Sequence, residues 1–183
     1  PAVLHLAFGV LSLVGIYALV QRFSSSKSAS IAVLVTASSY SLWVLMTYAY
    51  VDLALMAYGT AMIIALLQWA KKKDQQQLWL MLISVLAGVA FGIKYTAGLM
   101  ALAVYGVIVI REPKKIIRNT LIVGIVGFIV FLPWFIKGWA LYGNPFYPYI
   151  WGGGNLDEIR GDFFAGTGYN FLTPEFWFHI PIQ

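Results

Sequence analysis

Six apolar runs, at about 2–20, 30–49, 52–69, 78–93, 95–110 and 117–136, take up most of a 183-residue chain. At 1.5 Å per residue, a helix of about 20 residues covers roughly 30 Å, the thickness of a bilayer's hydrocarbon core. The longer runs therefore suit membrane crossing. The chain as a whole is 61% hydrophobic and 10% charged, where soluble domains carry about a quarter charged residues. A soluble helical bundle does not fit that composition. The expectation is an all-α, polytopic transmembrane helix bundle of about six spans. Residues 1–137 form the membrane region, and 138–183 an extracytoplasmic segment rich in aromatic residues and glycine.

Charge placement sets the direction of threading. Arg22 and Lys27 follow the first run, Lys71, Lys72 and Lys73 the third, and Arg111, Lys114, Lys115 and Arg118 the fifth. These are nine of the twelve basic residues, in three alternate loops, which the positive-inside rule assigns to the cytoplasm. The opposite side receives Asp52, Lys94, Lys137 and everything beyond, including Asp157, Glu158, Arg160, Asp162 and Glu175. A net charge of +5 distributed this way serves orientation, so no nucleic-acid partner is expected. The chain opens on apolar residues with no initiator Met, so it reads as part of a longer protein. No charged stretch and small-residue cleavage site precede the first run, which argues against a signal peptide.

Two charges stand apart from the basic loops. Asp52 opens the third run at the external boundary, where a helix N-terminus favours an anion. Lys94 is the single charge between Leu78 and Ile110. Splitting that stretch at Lys94 gives two short helices whose tip would lie recessed, a depth tolerated only inside protein or beside a wet cavity. Each charge has a bland reading, as an interfacial cap or as a lysine snorkelling to the headgroups. The functional reading is that both open into one external hollow, the lysine holding an anion such as a phosphate and the carboxylate facing a hydroxyl or a cation.

Elsewhere the signals are weaker. Gly88 and Gly92 form a small-xxx-small pair that close helix packing explains. "SSSKSAS", residues 24–30, reads as a short solvated loop. Pro133 falls near the end of the sixth run, and Asn144, Pro145 and Pro148 mark a turn-rich segment crowded with aromatic residues. Most of those rings fit an interfacial aromatic belt, and a re-entrant loop stacking on sugar or lipid is the sharper alternative. Gly152–Gly154 lack the Gly-Lys-Ser/Thr ending of a phosphate loop. His5 and His179 make no metal-ligand spacing, and with no cysteine there is no disulfide or thiolate site.

Four stretches taken in order carry a family resemblance: "LHLAFGVLSLVGIYALVQRF", "YAYVDLALMAYGTAMIIALLQW", "GVAFGIKYTAGL" and "LPWFIKGWALYGNPFYPYIWGGG". Together they resemble the GT-C membrane glycosyltransferases, and more narrowly the dolichyl-phosphate-mannose-protein mannosyltransferase-like group (glycosyltransferase family 39 relatives). The resemblance implies a multi-pass enzyme of the plasma membrane. It would take a sugar from a polyprenyl-phosphate carrier on the outer face and pass it to a lipid, glycan or protein acceptor. No cofactor is certain, and metal dependence varies among such proteins, so a divalent cation is possible. The general base of the group lies on an external loop between its first two spans. Residues 2–20 look like the second span, so that base is expected upstream of Pro1, and this segment alone is expected to be inactive. Within the segment the candidate catalytic residue is Asp52. Tyr50, Lys94, Tyr95, Asn144 and Tyr147 are the candidate substrate-binding residues, with Lys94 on the carrier phosphate. The "GNPFYP" loop holding Asn144 and Tyr147 has a structural or lipid-contacting role by the same resemblance. The competing readings are a transporter or flippase for a lipid-linked or anionic solute, and a membrane subunit that only binds a partner. A transporter would be expected to show paired broken helices in related halves, and no internal repeat is visible.

Overall fold

A computed structural model describes residues 2–48 and 50–146, and every described element is helical. The chain divides into two compact units, Pro1–Leu132 and Pro133–Gln183. In order, the helices are α1 (Ala2–Phe23), α2 (Ser26–Ala37), α3 (Tyr40–Thr47), α4 (Asp52–Lys71), α5 (Gln76–Ile93), α6 (Ala97–Arg111) and α7 (Ile116–Tyr142). A 3₁₀ turn, Pro113–Lys115, precedes α7.

The all-α membrane class holds, while the expectation of about six spans needs correction. Among the described residues, four helices are long and apolar enough to cross a membrane, α1, α4, α5 and α7, the last taken with its 3₁₀ turn, which makes five spans if α2 and α3 form one bent span. The run expected at 30–49 is two helices meeting at 67°. Hydroxyl side chains cause the break by competing for the backbone. Thr36 Oγ1 donates to Ala32 O at 2.8 Å, Ser38 Oγ donates to Val35 O at 2.8 Å, and Ser39 turns to an extended conformation. Trp43 Nε1 then donates across the bend to Ala37 O at 2.7 Å. The fifth run forms α6, only 15 residues long.

"SSSKSAS" is also not the loop expected. Residues 26–30 open α2, and Ser25 caps it, its hydroxyl accepting the backbone N–H of Ser28 at 3.1 Å. A serine N-cap satisfies one of the donors that every helix start leaves unpaired.

Packing in the first unit follows small side chains and apolar faces. Met62, Ala65 and Trp69 of α4, Leu80 and Ile83 of α5, and Val104 and Ile108 of α6 make one buried cluster. Leu42 and Met46 of α3 and Leu53 of α4 make a second, against Phe8 and Leu13 of α1. Gly88 has the packing role its spacing suggests, and its partner is on α7. A Cβ there would lie 2.4 Å from Gly127 O, so the two backbones touch. Outward-facing residues such as Leu4, Leu34, Leu99, Leu102 and Ile117 are apolar and exposed, as lipid contact requires.

The helix order puts the basic loops together. Lys73 in the connection after α4, Gln76 at the start of α5 and Lys115 before α7 all meet Glu112. Arg22 at the end of α1 reaches Leu67 O near the end of α4, at 3.5 Å. The opposite end of the α4–α5 pair carries Asp52 and Lys94. Twenty residues of α4 separate the two ends by about 30 Å.

Candidate active site

Asp52 is the first residue of α4, and Lys94 caps the C-terminus of α5 in an extended conformation. Each charge complements its own helix dipole, the acid at an N-terminus and the cation at a C-terminus. Because α4 and α5 are neighbours running in opposite directions, those two termini meet. Lys94 Nζ donates to Asp52 Oδ1 at 2.9 Å, across 42 positions of sequence. Both side chains keep about two-fifths of their surface open, 43% for Lys94 and 41% for Asp52. An ion pair that open is worth at most about 1 kcal/mol to the fold. Its position is therefore better explained by availability than by stability.

Chain geometry holds the pair in place. Lys94 N–H donates to Ala90 O at 3.0 Å, closing α5, and Ala97 N–H donates to Lys94 O at 2.9 Å, opening α6. The lysine thus sits on a tight corner between two helices. Beside it, the Tyr95 ring meets Phe91 edge-on at 5.2 Å and Phe131 at 6.3 Å, while Phe91 and Phe131 meet at 5.0 Å. Three edge-to-face rings stiffen the wall behind the lysine. Tyr50 is exposed two residues before Asp52, its backbone N–H donating to Tyr48 O at 2.9 Å.

Four of the expected site residues, Tyr50, Asp52, Lys94 and Tyr95, therefore gather at the α4 start and the α5–α6 corner. Asn144 belongs to the second unit and is 1% exposed. Its Oδ1 accepts the N–H of Phe146 at 2.9 Å, a side-chain turn that follows Gly143 at φ 64°. Gly138 lets that turn fold back on α7, since a Cβ there would lie 3.0 Å from the Asn144 and Pro145 carbonyls. Tyr147 lies outside the described residues. Among the described residues no group of three His, Asp or Glu side chains comes together as metal ligands would.

Sequence reasoning overlooked Phe131, which reaches the site from α7 with no local signal. It also overlooked the polar cluster at the far end. There Glu112 accepts from Gln76 Nε2 at 2.9 Å and pairs with Lys115 at 3.0 Å and Lys73 at 3.6 Å. Burial pushes the Glu112 carboxyl up, but the hydrogen bonds from Lys115 and Gln76 and the charges of Lys115 and Lys73 together outweigh it. The group is held below the usual carboxylate range.

Comparison with known proteins found one family model, described as dolichyl-phosphate-mannose-protein mannosyltransferase, matching residues 2–137. No curated protein and no solved structure matched. The match spans α1 to the greater part of α7 and includes the Asp52–Lys94 pair. This multi-pass membrane chain belongs to the dolichyl-phosphate-mannose-protein mannosyltransferase family, and so to the membrane glycosyltransferases.

Proposed function

We infer that the protein takes a sugar from a polyprenyl-phosphate carrier on the extracytoplasmic side of the plasma membrane and passes it to a lipid, glycan or protein acceptor. The observation that carries this reading is the half-open Asp52–Lys94 pair, set at the end opposite the basic loops. With those loops in the cytoplasm, the pair faces outward.

In this mechanism the Lys94 ammonium exchanges its single carboxylate partner for the carrier phosphate. Transfer breaks the bond between the anomeric carbon and the phosphate oxygen, and the electron pair leaves on the phosphate. Lys94 meets that growing negative charge, which places its stabilisation where the transition state needs it. Asp52, released from the lysine, accepts a hydrogen bond from a sugar or acceptor hydroxyl. The acceptor oxygen forms the new bond to the anomeric carbon, and its proton passes to a carboxylate base. Tyr50 and Tyr95, which flank the pair in sequence, are assigned to substrate binding. Asn144 shapes the loop after α7.

The test is sugar loss from a mannosylated polyprenyl phosphate, with wild-type protein, Lys94→Ala and Lys94→Arg, with and without a divalent cation. Lys94→Ala is expected to fall by about 100-fold, the cost of one missing donor to a developing anion, with Lys94→Arg retaining part of the activity. Wild-type turnover in Lys94→Ala removes the lysine from the mechanism.

A further inference from the structure

α1 and α4 run side by side in the same direction. Gly15 packs on Thr60, Arg22 reaches Leu67 O, and Ser12 Oγ donates to Leu53 O at 3.4 Å, pairings offset by 41–45 residues. The same offset brings Asp52 level with residues 7–11 of α1, and His5 is on the next turn outward. Phe8, Ser12 and Gly15 share the face of α1 that meets α4, and a spacing of three adds His5 to that stripe. α3 crosses α1 just below it, where Gly9 leaves room for Met46. α4 also packs on α5. Its start is therefore approached from two helices, by His5 from α1 and by Lys94 from α5.

His5 is half-buried, and among the described residues its Nδ1 is closed off without a hydrogen-bond partner. A buried polar atom left unpaired costs free energy that an apolar side chain in the same place would avoid. Packing against α4 alone would be served as well by leucine. Asp52 and Lys94 have each other, and His5 brings unused hydrogen-bonding capacity beside them. A neutral imidazole offers one donor and one acceptor nitrogen, and a sugar hydroxyl is both donor and acceptor, so the two match. The Cβ–Cγ torsion of histidine is soft, which lets a turn of the ring bring Nδ1 to the rim as a ligand arrives.

The height of His5 says which part of the ligand it meets. With the carrier phosphate on Lys94 and the tail in the bilayer, the sugar lies outward of the phosphate. His5, on the turn outward of Asp52, stands at the level of that sugar. We propose that His5 binds a hydroxyl of the transferred sugar and so selects the loaded carrier over the bare one. This rests on the polyprenyl-phosphate reading above and deepens it. Lys94 recognises what both carriers share, and His5 recognises what the sugar adds.

The experiment uses the intact protein in lipid nanodiscs and measures Kd for mannosyl polyprenyl phosphate and for bare polyprenyl phosphate. His5→Phe and His5→Leu should each bind the mannosyl carrier about 3- to 10-fold more weakly, the effect of one neutral hydrogen bond, and the bare carrier as wild type does. His5→Gln, which keeps a donor and an acceptor, should recover part of the loss. Lys94→Ala should weaken both carriers. Among mannosyl carriers lacking one hydroxyl in turn, one should bind His5→Phe and wild type alike. Thermal unfolding selects the apolar variant that keeps the wild-type fold, so that lost affinity is not lost structure. A histidine that only packs would move both carriers together or neither. Either result overturns the proposal, and the carrier reading stands if Lys94→Ala still weakens both. No binding of either carrier by the wild type overturns the carrier reading and the proposal with it.

Discussion

The two ends of the α4–α5 pair solve the same electrostatic problem differently. Both bring a carboxylate from one helix terminus to a lysine from another. At the basic end Glu112 has three partners and a side chain only 13% exposed, and Gln76 beside it is buried. At the other end Asp52 and Lys94 share one bond and remain two-fifths open. A carboxylate with several partners in a covered site is committed to the fold, because losing it strands buried donors. A single open pair can be exchanged for a ligand at little cost. The contrast separates a cluster committed to the fold from an ion pair that a ligand could displace, without recourse to family membership.

The largest effect that would break this contrast is on turnover. Lys94→Ala should lose about 100-fold in sugar transfer, while its thermal unfolding stays near wild type. Next in size is Glu112→Ala, which leaves the buried Gln76 amide without its acceptor and should cost about 1–3 kcal/mol. That loss is read from denaturation in detergent, and transfer activity at a permissive temperature should be nearly unchanged. A third, smaller effect is on pH. Because the folded Glu112 carboxyl is held below 4.5, its contribution is full above that value and is lost as pH falls through the lower, folded one. The stability gap between wild type and Glu112→Gln should therefore close as the medium is acidified below 4.5. The smallest effect is the coupling between Asp52 and Lys94 themselves. A double-mutant cycle on unfolding should give at most about 1 kcal/mol, and a larger value would make the pair a structural clamp.

Much of the site was legible because charge is rare here. Asp52 and Lys94 stand out among apolar residues, and helix alternation alone puts them on one side. That they touch follows from α4 and α5 being neighbours, which hydropathy does not encode. The bend at Ser38–Ser39 was missed for a related reason. Hydroxyl residues barely lower the hydropathy of a run, yet their side chains take backbone carbonyls and end the helix. "SSSKSAS" misled in the other direction, since a serine run resembles a loop until one serine is seen capping a helix. The inward-packing faces of the helices left no trace at all. In a membrane helix the lipid-facing and inward-facing residues are alike apolar, so hydropathy does not separate buried Met62 and Ala65 from exposed Ile63. Phe131 likewise reaches Tyr95 from a distant helix through packing alone.

The central claim is that Lys94 faces outward and holds the carrier phosphate. A membrane-impermeant amine reagent applied to intact cells tests both halves at once. Lys94 should be labelled from outside, and added polyprenyl phosphate should slow that labelling, while Lys71, Lys72 and Lys73 react only after permeabilisation. Labelling of the triple-lysine loop from outside, or a Lys94 rate indifferent to polyprenyl phosphate, would contradict it.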